Sequence, residues 1–357
     1  MLIYWILFAY FAIGAAFDSE RRGIGRVTAP GLFAVGGILI AVLIGLRFEV
    51  GADWSAYVRI FIHSRYIGFG RSLEIGDPGY QALNWLVMRA GLGLWAVNLV
   101  CGSVFAIGLL KLARLQPNPW LGVLVAIPYL TIVVAMGYSR QGVAIGILMF
   151  GLASLMRNGS LVRFGLYVLL ATLFHKTALI AFPLAALASG RSRALNILLA
   201  AVLTYFLYST FLATSIDKFV RDYIQAEYSS QGAAIRVVMS LLPALLFLLN
   251  PRGFGFNDTE IRVWRNFSFA AFGFLALLFI LTSSTAVDRM ALYVAPLQIA
   301  VLSRVPNLKI GNRTGTVMVI LYSLLVQFVW LNFAEHANEW VPYQIYPFGH
   351  SLTAARG

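Results

Sequence analysis

The stretch PWLGVLVAIPYLTIVVAMGYSRQGVAIGILMFGLASLM, residues 119–156, holds one charged residue, Arg140, between two long apolar runs. A helix crosses the hydrocarbon of a bilayer in about 20 residues. Residues 119–138 and 140–156 therefore read as two consecutive membrane spans that meet at YSRQG. Outward from this pair the pattern repeats, with apolar stretches at 1–17, 30–46, 92–110, 161–174, 177–190, 194–213, 236–250, 266–282, 287–303 and 314–333. Composition agrees with that reading. Hydrophobic residues make up 60% of the 357 and charged residues 11%, with a mean hydropathy of +0.81, whereas a typical soluble chain is about 25% charged. The expected fold is an all-α polytopic membrane protein of about 12 transmembrane helices, one embedded domain over residues 1–357. The opening MLIYWILFAYFAIGAAF has no basic n-region and no small-residue cleavage site after it, so it reads as a permanent first span.

The loops carry the next layer of information. With both termini outside, every short inner connection is basic, as cytoplasmic loops are; examples are Arg21, Arg22 and Arg26, then Lys111 and Arg114, Arg157 and Arg163, Arg191 and Arg193, Arg262 and Arg265, and Arg304, Lys309 and Arg313. The net charge of +13 thus reports topology first. It does not point to nucleic acid, because no soluble module is present to carry a basic patch. A single cysteine, Cys101, excludes a disulfide framework and cysteine-based metal clusters, and four histidines with 14 acids offer little for a dedicated metal site. No metal and no cofactor is expected.

Two outer segments, 47–91 and 214–235, are long enough to hold structure of their own. In the first, Trp54, Tyr57, Val58, Phe61 and Ile62 form one apolar stripe at helical spacing. An amphipathic helix on the outer membrane interface is expected there, with Asp53 as its cap. Asp77-Pro78-Gly79 reads as a turn, which gives Asp77 no chemical role. The second segment is expected to hold a helix from Ile216 to Tyr228.

Orientation is better served by an outer face poor in Lys and Arg, yet Arg47, Arg140, Lys176, Arg236 and Arg289 all fall at outer span ends. Ionisable groups at such depth face a partner or a watery cavity. Five on one side favour an outward-facing anion site. In RFEVGADW, 47–54, a carboxylate beside an arginine is either a structural ion pair or a base for a sugar hydroxyl. Asp53 is the better base, because Glu49 more readily pairs with Arg47. In YSRQG, Arg140 and Gln141 offer a forked guanidinium and an amide, suited to phosphate oxygens. In FHKTA, 174–178, Lys176 is a point charge for phosphate and His175 a donor or acid–base group, unless both are structural. In VDRMALYVAP, 287–296, Asp288 pairs with or orients Arg289, and Tyr293 follows one turn later.

These clusters occur in a recognisable order. RFEVGADWSAY, DPGYQALNWLV, YSRQGVAIGI, LFHKTALIAFPL, DRMALYVAP and the late EWVPYQIYPF together resemble the EpsG family, polytopic bacterial proteins of exopolysaccharide clusters related to the Wzy polymerases. The resemblance extends from the first span to residue 348 and is weakest over 190–265. It implies a membrane glycosyltransferase of GT-C type that joins oligosaccharide repeat units carried on undecaprenyl pyrophosphate, at the outer face of the bacterial cytoplasmic membrane, and releases the lipid pyrophosphate. On that reading Asp53 and His175 are catalytic. Arg47, Arg140, Lys176 and Arg289 bind the diphosphate, and Glu49, Gln141, Asp288 and Tyr293 support them. The implied partners are lipid-linked donor and acceptor, membrane lipids, and the flippase and chain-length regulators of such a pathway. An O-antigen ligase or a transferase using a lipid-phosphate sugar has similar site chemistry. A transporter of lipid-linked sugars is the rival of another class, but transporters carry paired repeats and polar breaks at the midplane, whereas here the charges gather at span ends.

Overall fold

Apolar composition and capping residues together delimit the helices. The structure, a computed structural model, describes residues 1–18, 27–186, 198, 201, 205, 233–280, 284–308 and 310–349. Most of the expected span 194–213, the expected helix Ile216–Tyr228, and the loop cations Arg21, Arg22, Arg26, Arg191, Arg193 and Lys309 lie outside the described residues. In chain order the first helices are α1 (Leu2–Asp18), α2 (Pro30–Gly45), α3 (Trp54–His63), α4 (Phe69–Ile75), α5 (Pro78–Arg89), α6 (Leu94–Ala113), α7 (Pro119–Ala126), α8 (Ser139–Asn158), α9 (Leu161–Phe174) and α10 (Ala181–Ala186). They are followed by α11 (Ala233–Leu249), α12 (Asp258–Ile280), α13 (Ser284–Ala291), α14 (Pro296–Leu302) and α15 (Asn312–Phe333). Four of these, α6, α8, α12 and α15, are long and apolar enough to cross a membrane, and shorter apolar helices accompany them. The chain is an all-α, multi-pass membrane protein.

The stretch that decided the fold lies at its centre. Every residue from Pro119 to Gly137 is buried, and so is most of α8, as expected of helices that are apolar on all sides. Asn118 starts α7, its Oδ1 accepting from the Leu121 amide at 2.9 Å while its Nδ2 donates to Ala15 O at 2.9 Å. Pro128 cannot donate a helical bond, and from Ile127 to Ala135 the helix widens into a π-helix, a form concentrated at functional sites. It delivers the chain to Gly137, Tyr138 and the start of α8.

Helices α6 and α8 touch backbone to backbone: a Cβ on Gly108 would lie 2.1 Å from Gly146 O, and one on Gly146 would lie 2.6 Å from Phe105 Cα. Small residues permit such approach between membrane helices. Gly146→Val should therefore push α6 from α8 and cost ~1–3 kcal/mol by overpacking. The check is thermal unfolding in detergent, where an unchanged midpoint would contradict the close packing.

Two expectations need correction. Residues 287–303 do not form one continuous α-helix: α13 passes through a 3-10 turn, Leu292–Val294, before Pro296 starts α14. The stripe on α3 does not simply face lipid either. Tyr57 and Phe61 are buried in the protein, with Tyr57 packed 5.7 Å from Tyr80 of α5, and only Ile62 is exposed.

The last described segment returns to the first loop. Strand β1 (Arg47–Phe48) pairs antiparallel with β2 (Gln344–Ile345), Arg47 opposite Ile345 and Phe48 opposite Gln344. Tyr346 N donates to Leu46 O at 2.7 Å, and Gly51 N to Glu339 O at 2.8 Å. Trp340 is buried and donates from Nε1 to Ile132 O at 2.8 Å, while Tyr4 donates to Trp340 O at 2.7 Å. This strap fixes the loop that carries Asp53.

Candidate active site

One buried carboxylate ties three loops together, and it is Asp77, which reads in the sequence as a mere turn. Its Oδ2 accepts from Arg140 Nη1 at 2.9 Å, at the first turn of α8. Its Oδ1 accepts from the Lys176 amide at 3.4 Å, and His175 Nδ1 lies 3.9 Å from Oδ2. Gly79 lets the turn approach α9, since a Cβ there would lie 2.9 Å from Leu173 Cβ. Burial pushes the Asp77 carboxyl up from its ordinary value, while Arg140 and the Lys176 N–H pull it down. Buried carboxylates are paired, and this one is. The signal available in the sequence was a carboxylate directly before Pro-Gly, which is too common in turns to single out.

Asp53 occupies the residue before α3, but its side chain makes no capping bond. It points instead toward Arg289, whose Nη2 lies 3.9 Å away, and it remains about a quarter exposed. Burial raises the Asp53 carboxyl above the ordinary aspartate value; Arg289 and Arg140 oppose the shift. Tyr57 lies beside both Asp53 and Arg140, and burial, helped by the Asp53 charge, pushes its phenol up to about 12. Tyr57 therefore stays protonated near neutrality, and Asp53 is the group of this pair able to take a proton.

Arg289 is placed from two sides. Its guanidinium stacks 5.4 Å from the Tyr138 ring centroid, and Gln141 Nε2 donates to its backbone oxygen at 2.5 Å. Asp288, expected beside Arg289, instead takes Arg236 in two bonds of 2.7 Å each. Tyr293 is buried, and its hydroxyl accepts from Thr177 Oγ1 at 3.3 Å, which joins α13–α14 to the turn after His175. Four of the five expected outer cations, Arg140, Lys176, Arg236 and Arg289, thus come from distant segments to one end of the bundle.

Arg47 differs. It is 1% exposed, and its guanidinium donates to Ile44 O at 2.5 Å, Val50 O at 3.3 Å, Asn98 Oδ1 at 3.2 Å and Ser139 Oγ at 2.6 Å. Its partners are carbonyls, an amide and a hydroxyl rather than Glu49. Glu49 itself has a left-handed backbone, φ 51°. Buried and with four of its five N–H donors bonded, Arg47 holds the Asp53 loop against α6 and α8 and is not poised to contact a ligand.

Arg304, expected as a loop cation, is also fully buried, at the opposite end. Asn98 lies in the second turn of α6, beside Arg47, and Leu115 follows the far end of that helix, roughly 25 Å away at 1.5 Å per residue. There Arg304 donates to Gln116 Oε1 at 3.0 Å, Gly255 O at 2.9 Å, Leu115 O at 3.2 Å and Glu260 Oε1 at 3.3 Å, with Phe256 under its guanidinium at 4.0 Å. Glu260 Oε2 also accepts from Asn257 N at 2.9 Å, and Asn257 Oδ1 accepts from Glu260 N at 2.9 Å, a reciprocal cap at the start of α12.

The site end thus offers cations able to bind an anion and one carboxylate placed to accept a proton. Among the described residues no three His, Cys, Asp or Glu side chains converge as metal ligands do. Comparisons with curated proteins and with solved structures find no match. A family model matches residues 32–345, nearly the whole chain and every segment of this site, and the chain therefore belongs to the EpsG family of exopolysaccharide and O-antigen polymerase-like proteins.

Proposed function

We propose that this protein is a polysaccharide polymerase of GT-C type, with about twelve spans, working at the outer face of the bacterial cytoplasmic membrane. It joins oligosaccharide repeat units carried on undecaprenyl pyrophosphate. The observation that carries this reading is the convergence at one bundle end of Arg140, Lys176 and Arg289 around Asp53 and Asp77. An acceptor hydroxyl attacks the anomeric carbon of the donor sugar. Its proton passes to Asp53 Oδ, the bond from the anomeric carbon to the diphosphate oxygen breaks, and the lipid pyrophosphate leaves with that electron pair. Preorganised cations stabilise the charge that develops on the leaving group. Arg140 and Arg289, each held by a carboxylate or an aromatic face, meet that requirement without reorganisation. A transporter reading would leave Asp53 without a task.

In a deletion strain, polymer is expected to vanish while single lipid-linked repeat units accumulate, and the wild-type chain restores polymer. Arg140→Ala should restore little. Loss of one charged hydrogen bond, roughly 1.5–3 kcal/mol, slows turnover about tenfold to hundredfold. The exposed Arg59→Ala should behave as wild type. Equal polymer from Arg140→Ala at matched membrane abundance would remove Arg140 from the site, and unchanged polymer in the deletion strain would remove the function.

A further inference from the structure

His175 is an acid–base group of the site end that the polymerase chemistry leaves idle. It is 7% exposed, and its Nε2 is buried with no hydrogen-bond partner among the described residues. The backbone around it is fixed: its amide donates to Ala171 O at 2.9 Å, and its carbonyl accepts from Ala178 N at 3.0 Å. The imidazole therefore sits in a break between α9 and the 3-10 turn Lys176–Ile180, with its two nitrogens in unlike surroundings.

The Nδ1 edge faces Asp77 Oδ2 at 3.9 Å. That is beyond direct hydrogen-bonding distance but well within electrostatic reach. A bare Nδ1 lone pair would repel the carboxylate, so Nδ1 carries the hydrogen. Burial, with Arg140 and Arg289 nearby, keeps the ring neutral. A neutral imidazole with a protonated Nδ1 has a bare Nε2, which accepts. An acceptor cannot hydrogen-bond a diphosphate oxygen, which is itself only an acceptor. The natural complement of a buried bare nitrogen is an O–H.

We propose that Asp77 selects the tautomer of His175, and that His175 Nε2 accepts a hydrogen bond from a sugar hydroxyl of the repeat unit. His175 is then a specificity group for the sugar, and Asp77 a positioning residue that also fixes Arg140. This deepens the polymerase reading and rests on it for the identity of the ligand. In this role His175 accepts a hydrogen bond and transfers no proton. The sites divide the substrate: guanidinium groups meet the diphosphate, and the imidazole meets the sugar ring. A site built to accept from one hydroxyl strongly rejects analogues that lack it.

The tautomer can be read without any turnover. With the protein labelled by 15N-histidine in lipid bilayers, only four histidines contribute, and the His175 signals are those lost in His175→Asn. The expected result is a protonated Nδ1 with a bare Nε2 in the wild type, and a mixture of tautomers in Asp77→Asn. A protonated Nε2 in the wild type, or an unchanged tautomer in Asp77→Asn, would overturn the assignment to Asp77. Polymer yield at equal membrane abundance tests the hydroxyl. His175→Gln can place its amide oxygen where Nε2 lies, whereas His175→Asn cannot, so His175→Asn should lose about tenfold to hundredfold and His175→Gln distinctly less. Equal losses in the two variants would overturn the acceptor role. Should the wild type itself make no polymer, the polymerase reading fails, while the nitrogen signals still decide the tautomer.

Discussion

Asp53→Asn should reach the membrane in normal amount, unfold at the wild-type temperature and yield about a hundredfold less polymer or lower still, since a positioned base contributes roughly 10²–10⁴ in rate. The asparagine keeps the size of the side chain and loses only the ability to hold a proton. Because Asp53 makes no capping bond, little structural work is removed with its charge. The wild type should also show a pH limb. Burial raises the Asp53 carboxyl above its ordinary value, though Arg289 and Arg140 restrain it. A base works only when deprotonated, so turnover should rise with pH through that displaced value and fall below it. Asp53→Asn should lack the limb. Glu74→Gln, an exposed carboxylate of α4, should leave both polymer and pH profile unchanged. Near-normal polymer from Asp53→Asn would shift the burden of catalysis onto the guanidinium groups.

The largest effect on stability is expected at the other end, in Arg304→Ala. That change leaves Glu260 buried without its cation, and three further acceptors without a donor. Removing one partner of a buried pair costs ~3–5 kcal/mol, a large share of the roughly 5–15 kcal/mol that holds a native protein. Most of the protein should fail to remain monodisperse in detergent. A lysine offers a point charge in place of the fork, so Arg304→Lys should recover only part of the loss. Replacing both partners, Arg304→Met with Glu260→Gln, should recover more, because no lone charge is then left. A wild-type unfolding temperature in Arg304→Ala would show that the five-way contact contributes little.

Most of the fold was legible because apolar composition dictates it: a segment such as 314–333 has few alternatives in a bilayer, and the structure has α15 at Asn312–Phe333. The break at His175-Lys176 was legible too, from two short apolar stretches meeting at polar residues. Pairings were not. Asp288 meets Arg236 across 52 positions rather than its neighbour Arg289, and no spacing rule encodes so distant a choice. Arg47 satisfies itself on two backbone oxygens, which every residue possesses, and on the distant Asn98 and Ser139. Arg304 looked like an ordinary loop cation because loop charge follows one rule and burial another; only the shape of the far end decides between them. Asp77 was hidden by its own context, since a carboxylate before Pro-Gly does turn the chain and here also organises a site.

The strap formed by residues 339–346 has a bearing on the order of events during synthesis. The loop carrying Asp53 emerges early, but its hydrogen-bond partners at Glu339, Gln344 and Tyr346 are made only after α15. A ribosome must therefore translate every helix through α15 before that loop can be clamped. Chains halted before residue 339 would insert helices yet leave Asp53 on an unpinned loop. The Asp53 loop is therefore among the first parts of the chain to be made and among the last to be fixed in place.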